Sequence, residues 1–198
     1  MNSPKQPLLF FRIIALLGFL SFLGGCSSPA LDDYRDVQFE LVNQNGEMVV
    51  FPDDFEGSPL IVGFIYTHCP DICSFITANV GKVYEEMGDP GDTQFLLVTF
   101  DPERDTPSVL KQYAAAFDMD RPPFQFLTGD SETIDAFMRR VSVRTQESYS
   151  RELEDGERMY FLNHSDKILL IDQNSRLIFD YGGSMTPVHI ILEDLAKL

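Results

Sequence analysis

The spacing of apolar residues changes several times along this chain, and each change marks an element. Leu60–Tyr66 reads LIVGFIY, a nearly unbroken apolar run bounded before by Gly57-Ser58-Pro59. A short run between such breakers predicts a buried strand. Apolar residues then return at Ile72, Phe75, Ile76, Val80, Val83 and Tyr84. That pattern predicts a helix over Asp71–Met87, stopped by Gly88 with Pro90 beyond it. Gln94–Phe100 is a second apolar strand, so strand, helix and strand predict a βαβ unit with parallel strands. Upstream, Val37–Val42 and Glu47–Phe51 flank Asn43-Gln44-Asn45-Gly46, the mark of a β-hairpin. Downstream come a helix over Ser108–Phe117 entered through Thr106 and Pro107, a strand at Phe124–Leu127, and a helix over Ser131–Arg140 capped by Ser131. Val141–Ser150 and Glu157–Leu162 predict a hairpin with the charged stretch Arg151–Gly156 at its tip. Lys167–Asp172 and Arg176–Tyr181 form a tighter one around Gln173-Asn174-Ser175. Thr186–Leu198 is a closing amphipathic helix with Val188, Ile191, Leu192, Leu195 and Leu198 inward.

The class is therefore α/β, with an N-terminal β-hairpin, a βαβ half, an inserted segment and a ββα half. This order resembles a thioredoxin-like fold with an insertion between its halves. The first 25 residues stand outside it. Lys5 and Arg12 precede the largely apolar run Ile13–Leu23, which is shorter than the roughly 20 residues a membrane-spanning helix needs. Leu23-Gly24-Gly25-Cys26 resembles a bacterial lipobox, with Cys26 as the lipidated residue. Residues 1–25 are thus expected to be a lipoprotein signal peptide, with an uncleaved anchor as the alternative. Residues 26–36 are polar and without period, a tether, and 37–198 form the domain. The expected location is the bacterial cell envelope, lipid-anchored and facing the periplasm or the exterior.

Composition narrows the partners. Residues 26–198 keep all 31 acidic residues and 13 of the 15 basic ones, a formal charge of −18. Such a surface repels nucleic acid and anionic headgroups, and suits a cationic partner or a metal ion. Solubility accounts for most of the charge. With Cys26 lipidated, the three cysteines leave one pair, Cys69 and Cys73.

That pair carries the candidate chemistry. The two thiols lie four residues apart at a strand-to-helix junction, with Pro70 and Asp71 in the expected first turn. A helix N-terminus favours the thiolate, the form that binds metals and attacks disulfides. As a structural staple the pair is poor: closing about five residues gains ~2 kcal/mol, against ~3 for a fifteen-residue loop. Asp101-Pro-Glu-Arg-Asp-Thr-Pro107 follows the second strand, at the edge where open α/β sheets bind ligands. Asp101 and Asp105 there are candidates for ordering the site, besides capping and solvating the loop.

YTHCPDIC, then FDPERDTP at Phe100–Pro107, then a lone His164 in NHSDKILLID resemble, in that order, the Sco/SenC family of copper-binding thioredoxin-fold proteins. Ser74 stands where the family commonly has a second proline, and Asn163 where an aspartate is common; neither removes a ligand. The resemblance implies a metal set of Cys69, Cys73 and His164 holding copper as Cu(I) or Cu(II). Its implied role is a metallochaperone serving the dinuclear copper centre of cytochrome c oxidase subunit II, or another extracytoplasmic copper protein. Donor type alone leaves zinc open beside copper. The competing function is a thiol–disulfide oxidoreductase with Cys69 and Cys73 as redox pair; three residues between them, and an unexplained His164, speak against it. A thiol peroxidase ranks below both. Of the remaining candidates, His68 is expected at the surface or supporting the site, His189 in solvent, and the scattered methionines mostly in the core.

Overall fold

The computed structural model describes residues 29–198 apart from 155 and 157; the expected signal peptide and Cys26 lie outside the described residues. Strands β1 (Asp32–Asp33), β2 (Phe39–Asn43), β3 (Met48–Phe51), β4 (Leu60–Ile65), β5 (Gln94–Thr99), β6 (Phe124–Thr128), β9 (Ile168–Ile171) and β10 (Arg176–Tyr181) form one sheet. Its order is β1-β10-β9-β4-β5-β6-β2-β3. Helices are α1 (Cys73–Met87), α2 (Pro107–Ala116), α3 (Ser131–Arg140) and α4 (Val188–Leu195). Strands β7 (Thr145–Glu152) and β8 (Arg158–His164) form a separate two-stranded sheet.

The βαβ unit is as expected: β4 pairs with β5 in parallel, and β5 with β6. On its other edge β4 meets β9 antiparallel, and β9 meets β10. The run β5-β4-β9-β10 is the thioredoxin-like core. The N-terminal hairpin β2–β3 extends the sheet at the far edge through β2 and β6, and β7–β8 is the insertion.

All six residues of β4 are buried, which is why its sequence shows no alternation. Gly63 lets α1 close onto this strand: a Cβ there would sit 3.2 Å from Ile76 Cγ2 and 3.4 Å from Val80 Cγ2. Ile76, Val80 and Val83 are fully buried. The Thr106 hydroxyl accepts from Val109 N–H, as the sequence leads one to expect.

Several expectations are corrected. The helix begins at Cys73, not Asp71; Pro70 and Asp71 belong to the turn before it, where proline's fixed φ serves equally well. Phe75, placed by periodicity on the apolar side, is 62% exposed. The α3 cap is Asp130, whose carboxylate accepts from Thr133 N–H at 2.9 Å, and not Ser131. The inserted hairpin runs two residues further than expected, so His164 ends β8 instead of lying in a loop. Part of the expected tether is built into the domain: Asp32 and Asp33 pair with β10, and Tyr34 is 1% exposed.

Candidate metal centre

Three chain segments meet at the carboxyl end of β4. Tyr66 follows the strand, and Cys69 N–H bonds back to its carbonyl at 3.3 Å, closing a turn. Beneath this turn lies Asp105, fully buried in the loop after β5. Its Oδ2 accepts from Thr67 N–H (3.0 Å) and the Thr99 hydroxyl (2.5 Å), and its Oδ1 from the Thr67 hydroxyl (2.5 Å). Burial raises its pKa while these hydrogen bonds oppose the rise. Cys73 opens α1 and is 1% exposed; its Sγ accepts from Tyr66 N–H at 3.4 Å.

His164 arrives from the inserted hairpin. Its Nδ1 lies 2.9 Å from the Ser165 carbonyl, which can only accept, so the ring proton belongs on Nδ1 and Nε2 keeps a free lone pair. Nε2 faces both sulfurs, 3.3 Å from Cys73 Sγ and 3.9 Å from Cys69 Sγ. The ring rests on Phe100 (centroids 4.6 Å apart) and meets Tyr66 edge-on at 6.0 Å. The three donor atoms all lie within 4.8 Å of one another.

The thiols are free and unlike each other. A hydrogen bond from Cys73 holds the Cys69 pKa down at about 4; burial opposes this, while His164 and the Cys73 and Asp71 amides assist. Donating that hydrogen bond, together with burial, pushes Cys73 up. The pair thus keeps one proton, with the charge on the sulfur that water reaches. Burial acts to lower the His164 pKa, yet the bonds to Cys69 and the Ser165 carbonyl outweigh it and raise it.

The donor set fits a soft or borderline metal. It offers two sulfurs and an imidazole with a fixed tautomer, and among the described residues no carboxylate joins the cluster. A cleft of about 470 Å³ bordered by Tyr66, Cys69, Pro70, Ile72, Phe161 and His164 leads to it. A partner can approach Cys69 through that cleft, whereas Cys73 is closed off.

The three residues singled out as ligands converge. His68 does not join them: it is exposed, with Nδ1 3.0 Å from the Thr67 hydroxyl. His189 is exposed on α4. Met119 and Met138 fill the core, while Met48 and Met185 are exposed. Asp101 and Asp105 both order the surroundings of the site. Sequence reasoning missed Tyr66, Arg104 and Tyr160. Tyr66 reads as the end of an apolar strand, but its hydroxyl donates to the Leu162 carbonyl (3.5 Å) and accepts from Leu162 N–H (3.2 Å).

Fold and site together define a thioredoxin-like domain presenting a Cys₂His donor set. The SCO1/SenC family model matches residues 29–198. The chain belongs to that family. It is 32% identical over 155 residues to an SCO2-like protein of Rickettsia felis, covering 77% of this chain and 72% of that one. The structure of Bradyrhizobium japonicum ScoI with copper bound superposes with a TM-score of 0.65 at 28% identity, over 82% of this chain and 98% of that one. A SCO1/SenC family lipoprotein of Bacillus anthracis superposes with a TM-score of 0.66 at 29% identity, over 82% and 93%.

Proposed function

We propose that the protein is an extracytoplasmic copper metallochaperone, taking copper as cargo on Cys69, Cys73 and His164. The observation that carries this is the convergence of two sulfurs and one imidazole nitrogen within 4.8 Å, on segments 91 residues apart. Copper is favoured over zinc by the copper-bound relative of the same fold. Exchange is favoured by the asymmetry of the thiols. Cys69 is the half-buried, charged donor at the mouth of the cleft, where an incoming thiol or imidazole of an acceptor can displace it.

The acceptor proposed is the dinuclear copper centre of cytochrome c oxidase subunit II, as the Sco/SenC resemblance implies. Another extracytoplasmic copper protein would be served by the same chemistry. The location proposed is the cell envelope, anchored through lipid on Cys26; the lipobox-like Leu-Gly-Gly-Cys supports it, as does a family relative that is a lipoprotein.

A second reading rests on the same thiols. Cys69 as thiolate could attack a partner's disulfide, giving a mixed disulfide and releasing one partner thiol. Cys73, losing its proton, would then attack the Cys69 sulfur, releasing the second thiol and leaving the Cys69–Cys73 disulfide. His164→Ala separates the readings. A carrier loses about 10–100-fold or more in copper affinity and fails to support oxidase assembly at limiting copper. Its dithiol potential meanwhile moves by less than ~30 mV. Poor copper affinity combined with full oxidase assembly at limiting copper would overturn the carrier reading in favour of thiol exchange.

A further inference from the structure

The metal donors are carried by two bodies that, among the described residues, share no strand pairing. Cys69 and Cys73 follow β4 in the main sheet; His164 ends a hairpin whose strands pair only with each other. One short stretch touches both bodies. On one side Asp105 grips Thr67, two residues before Cys69, through the backbone N–H and the hydroxyl. On the other side Asp101, 3% exposed, accepts from the Tyr160 hydroxyl at 2.6 Å through Oδ1 and from Arg104 Nε at 2.6 Å through Oδ2. Arg104 Nη1 donates to the Tyr160 carbonyl at 3.0 Å, and its guanidinium lies 3.6 Å from the centre of the Tyr160 ring.

We propose that Asp101–Asp105 is a bracket that sets the separation of imidazole and thiols: Asp105 positions the cysteine turn, and Asp101 with Arg104 positions the histidine hairpin. This rests on the copper reading of the donor set. Strand alternation is what makes the second grip effective. Tyr160, Leu162 and His164 lie on one face of β8, so fixing Tyr160 fixes the face on which His164 stands. The Tyr66 hydroxyl, bonded to both backbone groups of Leu162, guides the same strand between those two points. The bonds are strong enough to hold the two bodies in register. Those of Asp101 and Arg104 join a charged side chain to a buried or half-buried group, where such bonds are shorter and stronger than neutral ones. Asp101, Arg104 and Asp105 touch none of the donor atoms and are positioning residues.

The two grips are separable by mutation. Arg104→Gln removes the guanidinium from Tyr160. Tyr160→Phe removes only the hydroxyl and keeps the packed ring, so it tests the grip with little risk to folding. In both variants amide exchange at Leu162 and His164 should quicken about tenfold, and copper affinity should fall by about 10–100-fold. The reduction potential of the copper-free dithiol should stay at the wild-type value. Thr67→Val, which removes the hydroxyl half of the other grip and leaves the backbone N–H bond, should shift that potential and leave exchange in the hairpin unchanged. Wild-type exchange and affinity in Arg104→Gln would overturn the bracket, and so would a dithiol potential that moves in step with affinity. If instead Cys69→Ser kept full copper binding, the copper reading would fall, while exchange rates and potentials would still decide the bracket.

Discussion

β4 and β7 are opposites within one small domain. Every residue of β4 is buried, and every residue of β7 is exposed. The first sits mid-sheet between β5 and β9; the second has one neighbour and no core beneath it. Yet each body supplies part of the same donor set. The difference gives them different roles. The cysteine turn is fixed by the fold itself, so thiol spacing and acidity are constant properties of the domain. The imidazole is held by a few polar contacts, and such a segment opens at lower free energy than the core does. In the proposed carrier an acceptor would displace Cys69 at the cleft, while the hold of His164 depends on the contacts of its hairpin.

The largest effect should come from the rigid side. Replacing Cys69 or Cys73 by Ser removes a thiolate outright, and tight binding of one copper per chain should vanish in both, along with the copper–sulfur charge-transfer band. Retention of one tightly bound copper by either variant would place the site elsewhere. Next in size is the packing beneath the thiols. Ile76 is fully buried between α1 and Gly63 of β4, so Ile76→Ala should cost about 2–5 kcal/mol in denaturant unfolding. A loss below ~1 kcal/mol would mean that the helix carrying Cys73 is less firmly seated than its burial indicates.

A third measurement sharpens the contrast through pH. The Cys69 pKa is lowered to about 4, chiefly by the hydrogen bond from Cys73. A lowered pKa keeps the thiolate as pH falls, so alkylation of the reduced, copper-free protein should stay nearly constant from pH 8 down to about pH 5. It should decline only as pH passes through about 4. An ordinary thiol with a pKa near 8.5 would slow about tenfold per unit over that range. The plateau should survive largely intact in His164→Ala, because the first cause of the acidity lies within the cysteine turn. If the plateau disappeared with the imidazole, the two bodies would not be independent.

Much of this division was legible in the residues. Leu60–Tyr66 announced the central strand because burial on both faces removes alternation, and the inserted hairpin announced itself by its charged tip. The convergence of Cys69, Cys73 and His164 was legible through three short blocks and their order. What could not be read was local competition between residues that suit two places equally. Pro70 and Asp71 serve a helix start or the turn before it, and the chain uses the turn. Asp130 and Ser131 are both good caps side by side, and the carboxylate prevails. Phe75 fits the apolar periodicity but meets solvent, because periodicity gives a helix face and does not say how far the core extends along it. The bracket was hidden for another reason: Asp101 and Tyr160 are 59 residues apart in sequence, and no local pattern links a polar loop to a tyrosine on an exposed hairpin.

The smallest expected effect is the one that tests whether the hairpin is energetically separate. Tyr149 and Phe161 are cross-strand partners on β7 and β8, with ring centroids 6.1 Å apart, and Tyr149 is 47% exposed. Such a pair contributes roughly 0.2–1 kcal/mol relative to alanine. Tyr149→Ala should therefore loosen the hairpin by about that amount. Where the loss is felt depends on cooperativity. If β7–β8 opens by itself, the native domain with an open hairpin stays on the folded side of the main transition. The substitution then appears as faster amide exchange along β7 and β8, while the midpoint of global unfolding hardly moves. If the hairpin melts only with the sheet, the same loss must appear in global stability instead. Exchange at β7–β8 and at β4 in one sample of Tyr149→Ala decides between the two. Acceleration confined to the hairpin supports separate bodies; equal acceleration in β4 would make them one cooperative unit, with no rigid side and loose side to tell apart.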